Sequence, residues 1–522
     1  MVTRYSRNKP QHSSRTHKHN HPIFTNHTQQ LLKYIERQPI LPFRLSNTSQ
    51  KCLTHILKMI HHASVHTPSY EIDNIPPTEM NRVMTEFEKS RESKSIPPTI
   101  WSDISSSEKI GRIVTSQLHG RTIHLYLILP KSQTHSRIFS SAKLAESFFH
   151  TCARRIVVWL DVALQFAGKE CADTLDCYLF FTDDLKKLPK KSSDNEGGGV
   201  GKSETITPRH ANTAFTYSCI STAKIVLFRM EEWFKVFIHE SFHCFGLDFS
   251  EMNIIESNKH MSKLFPKCHS NMDFRIYETY CETWAETINV IFIAYSRVIE
   301  EPHLGNNKNI PNRTRKCSMK CRKEFSIRDS TRIGQVRHLT HSLSHSRILH
   351  ILQQVEHMIQ RERMFSMFQM SKVLAHHSLK YTDFVRTPSR RSIEVKSVGV
   401  RGFAIDGLPS KDKCSTSTLD NLPKYTEETQ VFAYYIVKPV LLFHLNEFIE
   451  WCHTHNGHNT ALFFKKTESN VREYGDLIER LYMLPEFIKT AETEHANYSR
   501  LSSISNAFIK DTLRMSLFEY TT

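Results

Sequence analysis

The chain has 522 residues, with 69 Lys+Arg against 53 Asp+Glu, a formal charge of +16, and 31 histidines. Only 15 Gly and 20 Pro occur, whereas 39% of residues are hydrophobic and 10% aromatic. Collagen-like and Gly/Pro-rich disordered chains are excluded, and there is apolar material for a core. The basic balance suits association with nucleic acid or another polyanion, and equally a generally basic globular protein.

Residues 1–40 read as a disordered basic tail holding His12, His17, His19, His21 and His27, with no apolar stretch of secretory-signal type. Residues 41–300 read as an α/β domain. Ile113–Leu118, His119-Gly120 and Thr122–Leu129 predict a β-hairpin. Ser141–Phe166 predicts a long helix, and Leu175–Thr182 a short buried strand. A disordered insertion is expected over 186–210. Its Gly201-Lys202-Ser203 resembles the end of a phosphate loop, but Glu196 stands where that pattern needs glycine. Strands are expected at Thr213–Ser218 and Lys224–Phe228, then helices at Glu231–Phe245 and Ile276–Val298. A basic loop follows over 301–341. A helical C-terminal region spans 342–522, interrupted by a loop at 386–422, with Tyr425–Cys452 its clearest helix. No run of about 18 apolar residues exists, so no membrane span is expected.

Glu231 to Asp248 reads EEWFKVFIHESFHCFGLD. Phe234, Phe237, Ile238, Phe242 and Phe245 form the buried face of a helix, and Gly246 suits its end. His239 and His243 lie one turn apart on it, so both imidazoles can reach one zinc ion. Glu240 then stands beside the metal, where a carboxylate can deprotonate a bound water. With 31 histidines, HExxH arises by chance often enough that the third ligand decides more. The metzincin continuation fails, because Phe249 occupies its ligand position and Asp248 comes one residue early.

The second helix, IYETYCETWAETINVIFIAYSRV, carries Glu278, Glu282 and Glu286 as a stripe separate from its aromatic face. Like charges at i, i+4 repel by about 0.2–0.5 kcal/mol per pair. Either basic partners or a divalent cation must offset this. The position about 40 residues after HExxH, within aromatic sequence, favours the cation.

HExxH followed by a helix carrying ExxAE resembles the glutamate-zincin metallopeptidases, and ETWAE is similar to the corresponding segment of lethal-factor-type peptidases. The resemblance covers about residues 213–298. It implies an α+β zincin-like core, a mixed sheet plus active-site helix, joined to the mainly helical C-terminal region. It also implies one Zn2+ per chain, with Glu282 as third ligand beside His239 and His243. Glu286 would then support the site, with Asp248 and Glu278 as supporting groups or alternative ligands. Tyr277, Tyr280 or His269 would stabilise an oxyanion. A strand at Asn212–Ser218 or Lys224–Phe228 would pair with a peptide or protein substrate. More loosely, EEWFKVFIHESFHCFGLDFS resembles uncharacterised proteins of large cytoplasmic DNA viruses, which would imply a virion-associated protein.

Two further clusters have metal-like spacing: Cys317/Cys321 with His341/His345, and Cys452, His453, His455 and His458. The 19-residue gap in the first exceeds the finger spacing of about 12. The tail and the 313–337 stretch are candidate nucleic-acid or polyanion contacts. The 12 scattered cysteines are expected to be buried free thiols of a reducing, cytoplasmic compartment, as at Cys152, Cys177 and Cys281. The expectation is a zinc metallopeptidase. The alternatives are a non-catalytic zincin-fold interaction or virion protein, and a basic nucleic-acid-binding protein.

Overall fold

A computed structural model describes residues 25–39, 41–131, 142–190, 204–269, 272–300, 342–385, 425–457, 462–500 and 506–519. The basic loop 301–341, the loop 386–422, Gly201-Lys202-Ser203, Cys317, Cys321, His341 and His458 lie outside these residues.

Six strands form one mixed sheet in the order β1-β2-β3-β4-β6-β5. They are β1 (Tyr70–Asn74), β2 (Lys109–Leu118), β3 (Arg121–Pro130), β4 (Thr174–Phe180), β5 (Ala214–Thr216) and β6 (Thr222–Leu227). The expected hairpin is β2–β3, with Leu118 opposite Arg121. Its two-residue turn holds His119 and Gly120 at positive φ, the geometry that matches strand twist. β3, β4 and β6 run parallel, whereas β5 returns antiparallel along β6. Because side chains alternate across a strand, each central strand serves two cores. Leu125, Leu127, Cys177, Leu179, Ile225 and Leu227 enter the large core. Ile128, Phe180 and Val226 face the opposite side, where helices Pro77–Lys89 and Pro98–Ser106 cover them through Phe87, Ile100 and Ile104.

The large core is covered by helices α1 (Asn47–Val65), α2 (Ala142–Ala163), α3 (Trp233–Cys244), α4 (Ile276–Tyr295), α5 (His345–His376) and α6 (Leu445–His455). Trp159 of α2 donates its indole N–H to Ser241 of α3 at 2.8 Å, which fixes how these helices meet. The core runs without a break from Leu31 to Phe518, so the C-terminal helices share it with the sheet. The arrangement is mixed α/β, in keeping with the α+β expectation.

Three expectations change. Residues 26–35, assigned to the tail, form a helix whose Leu31 and Ile35 enter the large core. In the segment read as a disordered insertion, Lys186 is fully buried and ion-paired to Glu232. Tyr425–Cys452 is not one helix. A π-helical turn, Ala433–Val437, leads into Lys438–Phe443, and the chain bends at His444 before α6. Pro439 is the physical reason: without an N–H it cannot extend an α-helical ladder, so it sits in the first turn of a new segment.

Residues 512–518 cross the interior as irregular chain with bends at Met515 and Leu517, and buried backbone outside regular structure must find partners. Glu232 accepts from the N–H groups of Met515 and Ser516, and Glu362 from those of Leu517 and Phe518. Lys372 donates to the Thr512 carbonyl and Lys438 to that of Met515.

Candidate metal centre

All twelve residues of α3 are buried. Gly246, at φ +62°, ends the helix as the sequence anticipates, with its N–H on the His243 carbonyl and that of Leu247 on Phe242. His239 and His243 project from the same face, their ring centroids 4.9 Å apart.

Helix α4 packs against α3 and brings its glutamates to three different partners. Glu278 Oε2 lies 3.1 Å from Nε2 of His239 and 3.4 Å from Nε2 of His243, and those nitrogens are 3.2 Å apart. Ligand atoms about 2.0–2.1 Å from a tetrahedral zinc stand about 3.3–3.4 Å from one another. The three atoms therefore outline one face of a zinc-sized tetrahedron. Glu282, the expected third ligand, lies one turn further along. It pairs with buried Lys235 at 2.5 Å and sits 3.0 Å from Nδ1 of His239, the ring nitrogen turned away from the triangle. Glu286 pairs with Lys438 at 2.6 Å. Of the three glutamates, the one whose carboxylate converges with both histidine Nε2 atoms is therefore Glu278, one helical turn before the expected Glu282. Glu278 meets the histidines, while Glu282 and Glu286 take basic partners.

Asp248 does not reach the triangle. Its Oδ2 holds Nδ1 of His243 at 2.5 Å and accepts from the Cys281 thiol at 3.1 Å. His243 is therefore oriented through Nδ1 by a hydrogen-bonded buried carboxylate, whereas His239 Nδ1 has Glu282 within ion-pair distance but no hydrogen bond, and both Nε2 atoms turn inward. The Asp248 contact is the usual support of a metal-binding imidazole.

Burial opposes every charge here, yet partners outweigh it. The His243 and His239 rings hold the Glu278 carboxyl well below the usual range, and Lys235 does the same for Glu282. The Glu278 and Glu282 carboxylates push His239 up to about 9 despite burial. For Glu240 burial prevails, pushing its carboxyl up against the pull of the two imidazoles. The carboxylates thus make the triangle strongly favourable for positive charge.

The triangle opens into a cavity of about 260 Å3 that Glu240 also lines. One wall is β5, which pairs only with β6 among the described residues, so its other edge faces the cleft. Of the two strands considered for substrate, only this one has a free edge, because β6 lies between β4 and β5. Tyr277 lines the cavity, with its ring edge-on to His243 at 5.8 Å. Tyr280 points elsewhere: it is fully buried and accepts from Asn456 at 2.9 Å. His269 does not line the cavity; its backbone N–H meets the Tyr425 carbonyl.

Sequence reading missed Tyr434 and Lys235. Tyr434, in the π-helical turn, lines the cleft and donates its hydroxyl to Glu278 at 2.8 Å across 156 positions of sequence. A π-turn is itself a feature enriched at functional sites. No local signal marks Tyr434. Lys235 had one, being a lysine one turn before His239 on the histidine side of α3.

A disulfide, Cys171–Cys219, joins the segment after α2 to the β5–β6 turn, against the all-thiol expectation. Cys152, Cys177 and Cys281 are buried free thiols, as expected. The Cys219 N–H donates to the His243 carbonyl at 3.2 Å, and a Cβ on Gly246 would lie 3.3 Å from Cys171 Sγ. The cross-link is therefore seated on the end of α3. Among the described residues, Cys452, His453 and His455 form no converging donor set; His455 pairs with Glu473 and stacks on Trp451. No described helix is long and apolar enough to cross a membrane.

No protein-family model matches the chain, and no curated protein or solved structure is significantly similar to it. Its functional reading therefore rests on the site itself.

Proposed function

We propose that the chain is a zinc-dependent metallopeptidase with a zincin-like core. The carrying observation is the triangle of His239 Nε2, His243 Nε2 and Glu278 Oε2, with edges of 3.2, 3.1 and 3.4 Å. Two imidazoles and a carboxylate are a donor set suited to catalytic zinc, with a fourth position left toward the cleft. Bound there, zinc would supply Lewis acidity and lower the pKa of a water to about 7.

The remaining roles belong to the chain. Glu240 takes the proton of the attacking water and returns it to the leaving amine. The Tyr434 hydroxyl, beside Glu278, donates to the developing oxyanion. Asp248 holds the tautomer of His243, Glu282 places its negative charge beside His239, and Lys235 keeps Glu282 ionised. The free edge of β5 offers backbone groups to an extended peptide, as sheet edges do in strand addition.

The test is metal content with peptide hydrolysis. About one zinc per chain is expected in the wild type, lost in His239→Ala and in Glu278→Ala. Glu240→Gln keeps the zinc and loses hydrolysis of a mixed peptide library. Full zinc content in Glu278→Ala, or undiminished hydrolysis by Glu240→Gln, overturns the assignment. Zinc without hydrolysis by the wild type would favour a non-catalytic zincin-fold protein.

A further inference from the structure

A second cavity, of about 500 Å3, lies between the C-terminal half of α1 and the start of α5. Its described wall carries Lys58, His61, His62, His66 and His345 over an apolar floor that includes Ile348, and none of the described residues that line it is acidic. Of these histidines the sequence reading singled out only His345, in its metal-like spacing with His341. The fold gathers them from two helices into one concave site.

Three independent features give the cavity a sign. The basic side chains crowd together with no acidic residue among the described lining. The N-terminus of α5, the positive end of a 32-residue helix, lies at the rim through His345, with no acidic residue in its first turn. His61 is only 6% exposed, and its Nδ1 is held by the Tyr295 hydroxyl at 3.0 Å. Its Nε2 has no hydrogen-bond partner, and leaving such a buried polar atom unsatisfied costs about 1–3 kcal/mol. Burial first, then Arg347, His62 and His66, work against protonation of His61. An anion would relieve that opposition.

Size narrows the class. The volume falls in the range of small-molecule sites, about 300–1,000 Å3, and far exceeds what a bare phosphate needs. The floor is apolar. We propose that this cavity binds a nucleoside phosphate, with its phosphates on the Lys58 and histidine side and the α5 N-terminus, and its base over the apolar floor. The site is separate from the metal centre. Tyr295, which holds His61, is 17 residues along α4 from Glu278, about 25 Å at 1.5 Å per residue.

The test is calorimetric titration of the full chain with ATP, without divalent metal, beside inorganic phosphate as a second probe. ATP is expected to bind one per chain and at least tenfold more tightly than inorganic phosphate. Lys58→Glu and His345→Glu, both at exposed positions, should each weaken ATP at least tenfold with unchanged thermal midpoints. His239→Ala should leave ATP binding intact. The proposal is overturned if ATP does not bind at millimolar concentration, or if both charge-reversal variants bind it as the wild type does. It is equally overturned if inorganic phosphate binds as tightly as ATP, or if the site instead takes up a second zinc that His62→Ala abolishes.

Discussion

The Lys235–Glu282 pair offers the sharpest perturbation. Both side chains are 2% exposed, and Nζ lies 2.5 Å from Oε1. Removing one partner of such a pair leaves a charge stranded in the interior, at a cost of about 3–5 kcal/mol. Lys235→Met and Glu282→Gln should each lose that amount in urea denaturation of the metal-free protein. The double variant has no stranded charge, and neutral replacements of similar volume are tolerated in such positions. Its loss should therefore be far smaller than the sum, giving a coupling energy of at least about 2 kcal/mol. Glu282 also stands 3.0 Å from Nδ1 of His239, so Glu282→Gln should retain zinc with affinity reduced about 10–100-fold. Additive single effects, within about 0.5 kcal/mol, would refute the pairing argument. Complete loss of zinc in Glu282→Gln with full retention in Glu278→Gln would refute the ligand assignment.

Tyr434→Phe removes the hydroxyl beside Glu278 and little else; kcat should fall about 10²-fold with KM and zinc content nearly unchanged, and an unaltered kcat would remove Tyr434 from the mechanism. Glu494 is 2% exposed and burial pushes its carboxyl from 4.5 up to about 7. A carboxyl raised in the folded state favours the protonated form there, so it lowers stability as pH rises from about 4.5 through 7. Glu494→Gln should therefore be more stable than the wild type at pH 8, by up to about 3 kcal/mol, with the difference vanishing near pH 4.5; an equal difference at both pH values would contradict this. The Cys171–Cys219 bond spans 48 residues, and in the chain-entropy account such a cross-link contributes about 4 kcal/mol. Adding a dithiol reductant should lower the thermal midpoint of the wild type and leave a Cys171→Ser/Cys219→Ser variant unmoved; equal responses would count against the cross-link.

Much of this was readable because it is local. His239, Glu240 and His243 are set by helical periodicity within one short segment, and the β2–β3 hairpin by an apolar alternation around His119-Gly120. The third donor was displaced by a turn for an equally physical reason. Glu278, Glu282 and Glu286 share one face at equal spacing, so α4 alone cannot show which of them meets the histidines. The choice is made by Lys235 on a neighbouring helix and Lys438 far along the chain, which take the other two. Tyr434 and the Cys171–Cys219 link depend on approaches across 156 and 48 positions. The expected long helix over Tyr425–Cys452 starts only at Val431, widens to a π-turn before Pro439, which lacks a backbone donor, and breaks at His444.

The irregular segment at 512–518 sets an order of events during synthesis. Ser516 closes on Glu232 across 284 positions, and Met515 meets Lys235 across 280. Contacts of such separation form late, because the chain must be long enough and its loop entropy must be overcome. While the ribosome is still making the middle of the chain, α3 already carries both histidines but lacks the backbone donors that satisfy Glu232, and Tyr434 does not yet exist. The buried partners of α3 are therefore completed only after residues 512–518 have been made. Under the proposed reading, the triangle carried by α3 and α4 would be complete in sequence well before the cleft wall that Met515 supplies.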